Sequence, residues 1–164
     1  MPRLLITADI HGFYSVWQKL LSRLQPEDVL VIAGDFFGNR YPYPNNPDYQ
    51  PESLRREYQD LPNPKYFVYG NCDRPEFFPA QKYALSFVYE NKKVLLYHGD
   101  SAVSAGDHDI IITGHSHVAE IKEYQNKLYI NPGSPSLPRK GRPSYAIYQR
   151  GRAEILEFGA AYFY

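Results

Sequence analysis

The 164-residue sequence predicts an α/β fold, and two observations carry this prediction. In the first half, short apolar runs alternate with segments of helical spacing, which is typical of parallel strands joined by crossover helices. From residue 84 onward, β-type runs flank short turn signals, which indicates mostly antiparallel strands. We find no internal repeat, low-complexity tract or linker, so we predict a single domain over residues 1–164.

The first half contains three predicted strands and two predicted helices. The strands are the short apolar runs at residues 4–8, 28–33 and 65–70. The first helix spans residues 13–24, where apolar side chains recur with helical spacing and form one buried face. The second predicted helix is "PESLRREYQDL", residues 51–61.

A proline-rich segment, "RYPYPNNPDYQPE" at residues 40–52, separates the second strand from the second helix. Its prolines exclude both a helix and an interior strand. We interpret it as an ordered surface loop, with a lid over a site and a dimer contact as alternatives. Its tyrosines Tyr41, Tyr43 and Tyr49 are candidates to stack on a nucleobase or to face a second subunit.

The second half is predicted to be a series of hairpins. Turn signals lie at Asn91-Lys92, Gln125-Asn126 and Arg150-Gly151. The predicted strands are the β-type runs at residues 84–90, 93–99, 108–114, 118–131 and 144–158. The apolar C-terminal residues 160–164 are predicted to be buried against the domain or a partner.

Composition excludes several classes of protein. Lysine plus arginine equals aspartate plus glutamate at 18 each, so the chain lacks the basic excess of a protein that binds duplex nucleic acid. The single cysteine, Cys72, excludes an internal disulfide framework and suits a reducing compartment. The N-terminal apolar run is too short for a signal peptide, and no window approaches a membrane span. We therefore expect a cytoplasmic protein with no membrane partner.

Five apolar runs end in a glycine accompanied by aspartate, asparagine or histidine. Four of the five histidines lie at these ends. In open α/β sheets the carboxyl ends of the strands form the edge that binds ligands, so we expect these side chains to converge. The side chains at the run ends are Asp9, His11, Asp35, Asn71, Asp73, His98, Asp100, His115 and His117.

The chemistry of this set predicts a metal site. Carboxylate and carboxamide oxygens with neutral imidazoles are ligands of Mn²⁺, Fe²⁺, Ni²⁺ and Zn²⁺. Seven such groups out of these nine are already too many for one ion, and they suit two ions that share a carboxylate. Asp35 stands alone at its strand end, which makes it the natural bridge.

Each motif also has an alternative interpretation. Gly34-Asp35 is a common turn signal, Asn71 is a frequent turn residue, and Asp73 is able to cap a short turn. Five independent coincidences would be required for all the runs to end this way without a shared site. The fifth histidine, His108, lies in a short polar loop, and we predict that it is solvated.

These motifs, in this order, resemble the signature of the calcineurin-like metallophosphoesterases. The segments that carry the resemblance are Asp9-x-His11, Gly34-Asp35, Gly70-Asn71-Cys72-Asp73, His98-Gly99 and Gly114-His115-Ser116-His117. Together with Asn131-Pro132-Gly133-Ser134, they resemble the small single-domain bacterial and archaeal phosphodiesterase branch. The resemblance extends from Leu4 to about Tyr148. It implies a four-layer α/β/β/α sandwich with mixed sheets and two metal ions at one sheet edge.

The resemblance also assigns ligands and an activity. It implies that one ion is held by Asp9, His11, Asp35 and His117, and the other by Asp35, Asn71, His98 and His115. Mn²⁺ is expected first, with Ni²⁺, Fe²⁺ and Zn²⁺ as alternatives. The implied reaction is hydrolysis of a small phosphate ester or nucleotide, preferably a diester, by a metal-bridging hydroxide. Within that set, catalytic roles fall on Asp35, Asn71, His98 and His117. A homodimer or higher oligomer is left open.

Three departures from the family pattern qualify this expectation. Cys72 stands where larger members carry a histidine that serves the leaving group, and Asp100 stands where the branch commonly has a second histidine. The segment between Gly99 and Asp109 is short, where relatives fit a helix.

Two further questions stay open from the sequence. The basic stretch with Arg139, Lys140 and Arg142 is either a contact for a substrate phosphate or a solvated loop. The alternative function is a non-catalytic, metal-stapled interaction scaffold, as in the retromer subunit that resembles this family. A degenerate scaffold should lack some ligands, and all seven are present here.

Overall fold

A computed structural model describes residues 2–159, which form two five-stranded sheets packed face to face, with two helices against one of them. In chain order the elements are β1 (Leu4–Thr7), α1 (Tyr14–Leu21), β2 (Val29–Ile32), α2 (Pro51–Asp60), β3 (Lys65–Phe67), β4 (Ala84–Tyr89), β5 (Lys92–Tyr97), β6 (Ile110–Ile112), β7 (Ala119–Tyr124), β8 (Lys127–Pro132), β9 (Ser144–Gln149) and β10 (Arg152–Glu157).

The first sheet has the order β10-β9-β1-β2-β3. Strands β1, β2 and β3 are parallel, as their alternation with helices predicts, and β9 and β10 add an antiparallel edge. Successive residues of β1 face opposite sides: Leu5 packs in the cluster that contains the helices, whereas Leu4 and Ile6 pack against the second sheet. Both faces of β1 are covered, which explains why its first three residues, Leu4, Leu5 and Ile6, are all apolar.

The second sheet has the order β4-β5-β6-β8-β7 and is also mixed. The hairpins β4-β5 and β7-β8 are antiparallel as predicted, but β5, β6 and β8 are parallel neighbours. A parallel pair requires a long connection, and residues 98–109 provide one between β5 and β6. This arrangement brings the carboxyl ends of β5 and β6 to the same edge.

The hairpin turns have consecutive residues of positive φ, the geometry that matches the right-handed twist of the strands. The predicted turns at Gln125-Asn126 and Arg150-Gly151 are confirmed. The turn between β4 and β5 lies at Glu90-Asn91, with φ of 50° and 60°, one residue before the predicted position. Lys92 instead pairs with Tyr89 and belongs to β5.

The two helices pack on the first sheet and contact each other. Trp17 of α1 is buried, and its Nε1 donates a hydrogen bond to Glu57 Oε2 of α2 at 2.9 Å. Helix α1 is shorter than predicted because the backbone tightens after Leu21. There the N–H groups of Arg23 and Leu24 donate to carbonyls three residues earlier, which is the 3₁₀ pattern rather than the α-helical one. Helix α2 begins at Pro51, whose fixed φ suits the first helical position.

The predicted α/β sandwich with two mixed sheets is confirmed, and three of its four expected layers are formed between residues 2 and 159. No helix of this part of the chain covers the outer face of the second sheet. Residues 98–109 suffice to cross between the parallel strands β5 and β6, but they do so without a helix, as the shortness of the segment between Gly99 and Asp109 indicated. It remains a loop that contacts Ser86 and Lys93 through His108 and Asp107.

None of the helices in the described part of the chain is both long and apolar enough to cross a membrane. The burial predicted for the C-terminal residues 160–164 lies outside the described residues.

The core between the sheets supports a stability prediction. Leu96 of β5 is fully buried there, whereas Val88 of β4 is 68% exposed. Leu96→Ala should lower the free energy of unfolding by about 2–5 kcal/mol, because it removes buried methyl groups and leaves a cavity. Val88→Ala should change it by less than about 0.5 kcal/mol. Urea denaturation followed by circular dichroism measures both, and equal effects would contradict this placement of the core.

Candidate metal centre

The loops after five strands bring the seven predicted ligands together. They contribute Asp9 and His11 after β1, Asp35 after β2, Asn71 after β3, His98 after β5, and His115 and His117 after β6. Five of the seven line a cavity of about 390 Å³, and Asp9 and His98 are buried at its floor.

A first cluster of donor atoms surrounds the carboxylate of Asp9. Asp9 Oδ1 lies 3.4 Å from His117 Nε2 and 3.8 Å from His11 Nε2. The two imidazole nitrogens are 3.3 Å apart, and Asp35 Oδ2 is 3.7 Å from His11 Nε2. Four donor atoms therefore face one small volume.

A second cluster shares Asp35 with the first. His98 Nε2 is 3.2 Å from Asp35 Oδ2 and 3.0 Å from Asn71 Oδ1. His115 completes this cluster from the other side, with its Nδ1 3.1 Å from Asn71 Oδ1. Asp35 Oδ2 thus borders both clusters, which is where the sequence predicts a bridging carboxylate.

Backbone carbonyls fix the tautomers of two imidazoles. His98 Nδ1 lies 2.7 Å from the carbonyl of Ala33, and His117 Nδ1 lies 2.7 Å from the carbonyl of Leu137. A carbonyl only accepts, so each Nδ1 is the donor. The Nε2 atoms that face the clusters are therefore free to act as ligands.

The donor set fits a divalent cation, and Asp9 provides the test. Its Oδ2 accepts the His115 N–H at 2.9 Å, but its Oδ1 is buried and has no hydrogen-bond partner among residues 2–159. An unpartnered buried carboxylate oxygen is costly. A cation coordinated by this oxygen and the adjacent imidazoles would satisfy it, and oxygen with imidazole nitrogen suits Mn²⁺, Fe²⁺, Ni²⁺ and Zn²⁺.

Positive φ angles are concentrated at the centre. Five of the seven predicted ligands adopt the left-handed conformation: Asp9 (57°), His11 (56°), Asp35 (51°), His115 (70°) and His117 (58°). Residues other than glycine rarely do so, and such strain is typical of functional sites. This conformation turns the two histidines after β6 away from an extended path, so that both reach the centre.

Two glycines near the strand ends permit the close approach of ligands. A Cβ at Gly34 would lie 2.5 Å from His98 Nδ1, and a Cβ at Gly70 would overlap the carboxylate of Asp35. The recurrent glycine beside each polar residue in the sequence therefore has a steric cause at these two positions.

Asp73 anchors the centre, a role that the sequence did not reveal beyond a possible turn cap. Its carboxylate accepts the N–H groups of Phe37 at 3.0 Å, Gly38 at 3.3 Å and Gly70 at 2.9 Å. These bonds tie the loop after β2 to the loop after β3. Burial, together with the nearby charge of Asp35, raises the pKa of Asp73 to about 6.

The Asn131–Ser134 motif and Ser136 hold the remaining loops. Asn131 Nδ2 donates to the carbonyl of Gly114 at 2.9 Å. Ser134 Oγ and Ser136 Oγ lie 2.7 Å and 2.9 Å from the carbonyl of Asp9, to which they donate. The loops that carry Asp9 and His115 are thereby bound to one segment.

Burial and neighbouring charges shift the pKa values of four residues of the centre, namely Asp35, His98, His11 and His117. Burial raises the pKa of Asp35, but the hydrogen bond and charge of His98 outweigh it and leave that pKa below its ordinary value. Burial lowers the pKa of His98, but the hydrogen bond and charge of Asp35 raise it by more, so that the pKa is about 9. Burial lowers the pKa of His11 despite both nearby carboxylates. For His117, burial lowers the pKa and Asp9 raises it, with a net increase.

The thiol of Cys72 lies beside this pair of charges. Its backbone N–H donates to Asp35 Oδ1 at 2.7 Å. Burial and the Asp35 carboxylate raise the pKa of the thiol to about 12, so the thiol is protonated at neutral pH.

Two polar residues from the sequence motifs lie away from the centre. His108 is outside it, as expected, but it is not simply solvated. Its Nε2 is 2.6 Å from Ser86 Oγ and its Nδ1 is 2.9 Å from the carbonyl of Ala105, so a local turn orients it. Asp100 is exposed and does not line the cavity.

Comparison with known proteins identifies relatives of this chain. A family model described as the calcineurin-like phosphoesterase superfamily domain matches residues 3–151. The probable metallophosphoesterase YsnB of Bacillus subtilis is 32% identical over 158 residues, which cover 87% of this chain and 81% of that protein. Phosphodiesterase YfcE of Escherichia coli K12 is 25% identical over 158 residues, covering 88% of this chain and 85% of that protein.

Solved structures share the fold. Yfce of E. coli, described as a phosphoesterase, superposes with a TM-score of 0.74 at 24% identity, covering 94% of this chain and 92% of that chain. Vps29 of Entamoeba histolytica, solved in complex with zinc, superposes with a TM-score of 0.67 at 20% identity, covering 94% and 97% of the two chains. Both likenesses concern the fold alone.

The three hydrogen bonds of Asp73 give a stability prediction. Asp73→Ala should lower the free energy of unfolding by at least about 3 kcal/mol, because each buried N–H left without a partner costs roughly 1–3 kcal/mol. Asp100→Ala is the matched control, since Asp100 is exposed. Chemical denaturation of both variants measures the difference, and a loss below about 1 kcal/mol for Asp73→Ala would show that the carboxylate does not anchor these loops.

Gly70 gives a steric prediction for the centre. Its φ is not in the left-handed region, so alanine is compatible with the backbone, but the added Cβ would displace the Asp35 carboxylate. On the sequence prediction of two bound ions, with Mn²⁺ expected first, Gly70→Ala should therefore reduce the Mn²⁺ retained after gel filtration from two equivalents to less than one. Gly159→Ala is the control, because a Cβ there meets no atom within 4 Å. Elemental analysis provides the count, and two retained ions in Gly70→Ala would contradict the bridging position of Asp35.

Proposed function

The chain belongs to the calcineurin-like phosphoesterase superfamily, and from this premise we propose that it is a phosphodiesterase with a binuclear metal centre. The observation that supports the proposal most strongly is the shared position of Asp35 Oδ2. This oxygen lies 3.7 Å from His11 Nε2 in one donor cluster and 3.2 Å from His98 Nε2 in the other. The name of the E. coli relative, a phosphodiesterase, supports a diester as the substrate.

Two sets of residues would hold the ions. The first site uses Asp9, His11, Asp35 and His117, and the second uses Asp35, Asn71, His98 and His115. When bound, two divalent ions supply Lewis acidity to the phosphoryl oxygens and lower the pKa of a water molecule toward about 7. We propose Mn²⁺ as the ion that serves best, with Ni²⁺, Fe²⁺ and Zn²⁺ as alternatives.

The chain's own contribution is placement of these groups. The Cys72 N–H holds one oxygen of Asp35, which directs the other toward the two clusters. The carbonyls of Ala33 and Leu137 fix the rings of His98 and His117. Preorganised donors of this kind stabilise developing charge without rearrangement during the reaction.

Cys72 sets an expectation for the leaving group. It lines the cavity at the position where larger members of the family carry a histidine. A thiol with a pKa of about 12 is a weak proton donor at neutral pH. We therefore expect esters whose alcohol leaves readily without protonation, such as p-nitrophenyl esters, to be hydrolysed fastest.

The alternative function is a non-catalytic scaffold on the same fold, stapled by metal. The fold likeness to Vps29, including its zinc complex, supports this alternative. The presence of all seven donors in two clusters favours the enzyme instead, because a scaffold has no need of a complete centre.

Hydrolysis of bis-p-nitrophenyl phosphate separates the two functions. Protein stripped by a chelator should be inactive and should regain activity with added Mn²⁺. Asp35→Asn and Asp35→Ala should lower kcat by at least about 100-fold, because Asp35 borders both donor clusters. His108→Ala should retain activity and metal content, since His108 lies outside the centre. Far-UV circular dichroism confirms that each variant is folded.

Two outcomes would contradict the proposal. Wild-type turnover by folded Asp35→Asn would mean that the reaction occurs elsewhere. Tight binding of two ions without hydrolysis in Mn²⁺, Ni²⁺, Fe²⁺ or Zn²⁺ would favour the scaffold.

A further inference from the structure

We infer that the substrate is a nucleotide-type phosphodiester, in which a base on the retained alcohol stacks on Tyr41 and Tyr43 and Arg139 pairs with the phosphate. This inference rests on the proposed function and deepens it. All three residues line the same cavity of about 390 Å³ as the predicted ligands. A cavity of this size falls within the ~300–1,000 Å³ typical of small-molecule sites.

Arg139 is fixed next to the centre but keeps its side chain free. Its backbone N–H donates to the carbonyl of His117 at 3.1 Å, and the carbonyl of Leu137 accepts from the ring of the same histidine. Within residues 2–159, the Arg139 guanidinium has no hydrogen bond or ion pair. Guanidinium is planar and suited to bidentate contact with phosphate. Arg139 is thus available for an anionic substrate.

The tyrosines belong to an ordered rim. Arg40 binds the turn after β3 twice: its N–H donates to the Cys72 carbonyl at 2.9 Å, and its Nε donates to the Asn71 carbonyl at 2.9 Å. Tyr43 packs against Phe13, with ring centroids 5.1 Å apart. The segment that carries Tyr41 and Tyr43 is therefore held in place before any ligand binds.

The exposure of these rings indicates what they are able to bind. Tyr41 is 65% exposed and Tyr43 is 40% exposed, although both line a cavity whose floor is buried. An aryl group joined to phosphorus through a single ester oxygen stays close to phosphorus, and therefore close to the donor clusters. A base separated from phosphorus by a sugar reaches the rim, where stacking on tyrosine contributes about 1–3 kcal/mol per base.

Three esters with one leaving group test this assignment. The p-nitrophenyl esters of methyl phosphate, phenyl phosphate and thymidine 5′-phosphate differ only in the retained alcohol. With Mn²⁺-loaded enzyme, kcat/KM for the thymidine ester should exceed that for the methyl and phenyl esters by at least about fivefold. Equal values, or a preference for the phenyl ester alone, would overturn the nucleotide class while leaving the phosphodiesterase itself intact.

Matched variants locate the preference. Tyr41→Ala should lower the thymidine-to-methyl ratio of kcat/KM by at least about fivefold, whereas Tyr83→Ala should not, since Tyr83 is also 65% exposed but does not line the cavity. Arg139→Gln should lower kcat/KM for the thymidine ester about tenfold, as expected for a charge-assisted hydrogen bond. Lys140→Gln is its control, a neighbouring exposed cation that lines a different cavity. An unchanged ratio in Tyr41→Ala would refute the role of the rim.

A binding measurement keeps the inference testable if no ester is hydrolysed. Thymidine 5′-monophosphate should then bind Mn²⁺-loaded protein at least about fivefold more tightly than methyl phosphate, and Tyr41→Ala should remove that difference. Loss of hydrolysis with this binding intact would reject only the proposed function. Equal affinity for the two phosphates would reject the inference.

Discussion

The burial of two carboxylates, Asp9 and Asp35, is the constraint on which the rest of the structure depends. Both side chains lie at the floor of a cleft between sheet ends, and one oxygen of Asp9 has no hydrogen-bond partner among residues 2–159. Negative charge in such surroundings requires compensation, either by protonated imidazole or by cations. Without a cation, His98 compensates Asp35 as an imidazolium, because its pKa is raised to about 9; with a cation bound, its deprotonated Nε2 would serve as a ligand instead. The loops after the neighbouring strands supply the imidazole and amide groups that face these carboxylates.

The backbone meets the constraint at an energetic cost. Five predicted ligands have positive φ, and each strained residue of this kind costs on the order of 1–3 kcal/mol. Hydrogen bonds between loops hold these conformations: Asp73 joins the loops after β2 and β3, and Ser134, which follows β8, donates to the Asp9 carbonyl in the loop after β1. The two apolar clusters on either side of the first sheet offset the cost, because they bury nearly every residue of β1 and β2. The burial of these apolar clusters therefore compensates for the backbone strain at the carboxyl ends of the strands.

Much of this arrangement could be predicted from sequence, for a specific physical reason. Parallel strands end at one edge, so polar residues that recur after apolar runs had to converge, as Asp9, Asp35 and Asn71 do. Other features depend on contacts between distant parts of the chain and leave no local signal. Asp73 accepts from Phe37, 36 residues away, and Ser134 donates to Asp9, 125 residues away. The parallel pairing of β5 with β6 likewise depends on tertiary packing rather than on periodicity, whereas the lack of a helix layer on the second sheet within residues 2–159 was indicated by the short segment between Gly99 and Asp109.

The rim and the floor of the cleft are built by different means. The floor is formed by strand-end loops whose glycines, turns and carboxylates must fit one another closely, so few substitutions are compatible with it. The rim comes from the proline-rich segment, which is attached by backbone bonds such as Gln50 N–H to the Gly12 carbonyl at 2.9 Å. Backbone bonds do not depend on side-chain identity, so a substitution of the exposed Tyr41 is compatible with the same attachment, whereas Tyr43 also packs against Phe13. Specificity is therefore able to change at the rim while the floor retains its chemistry.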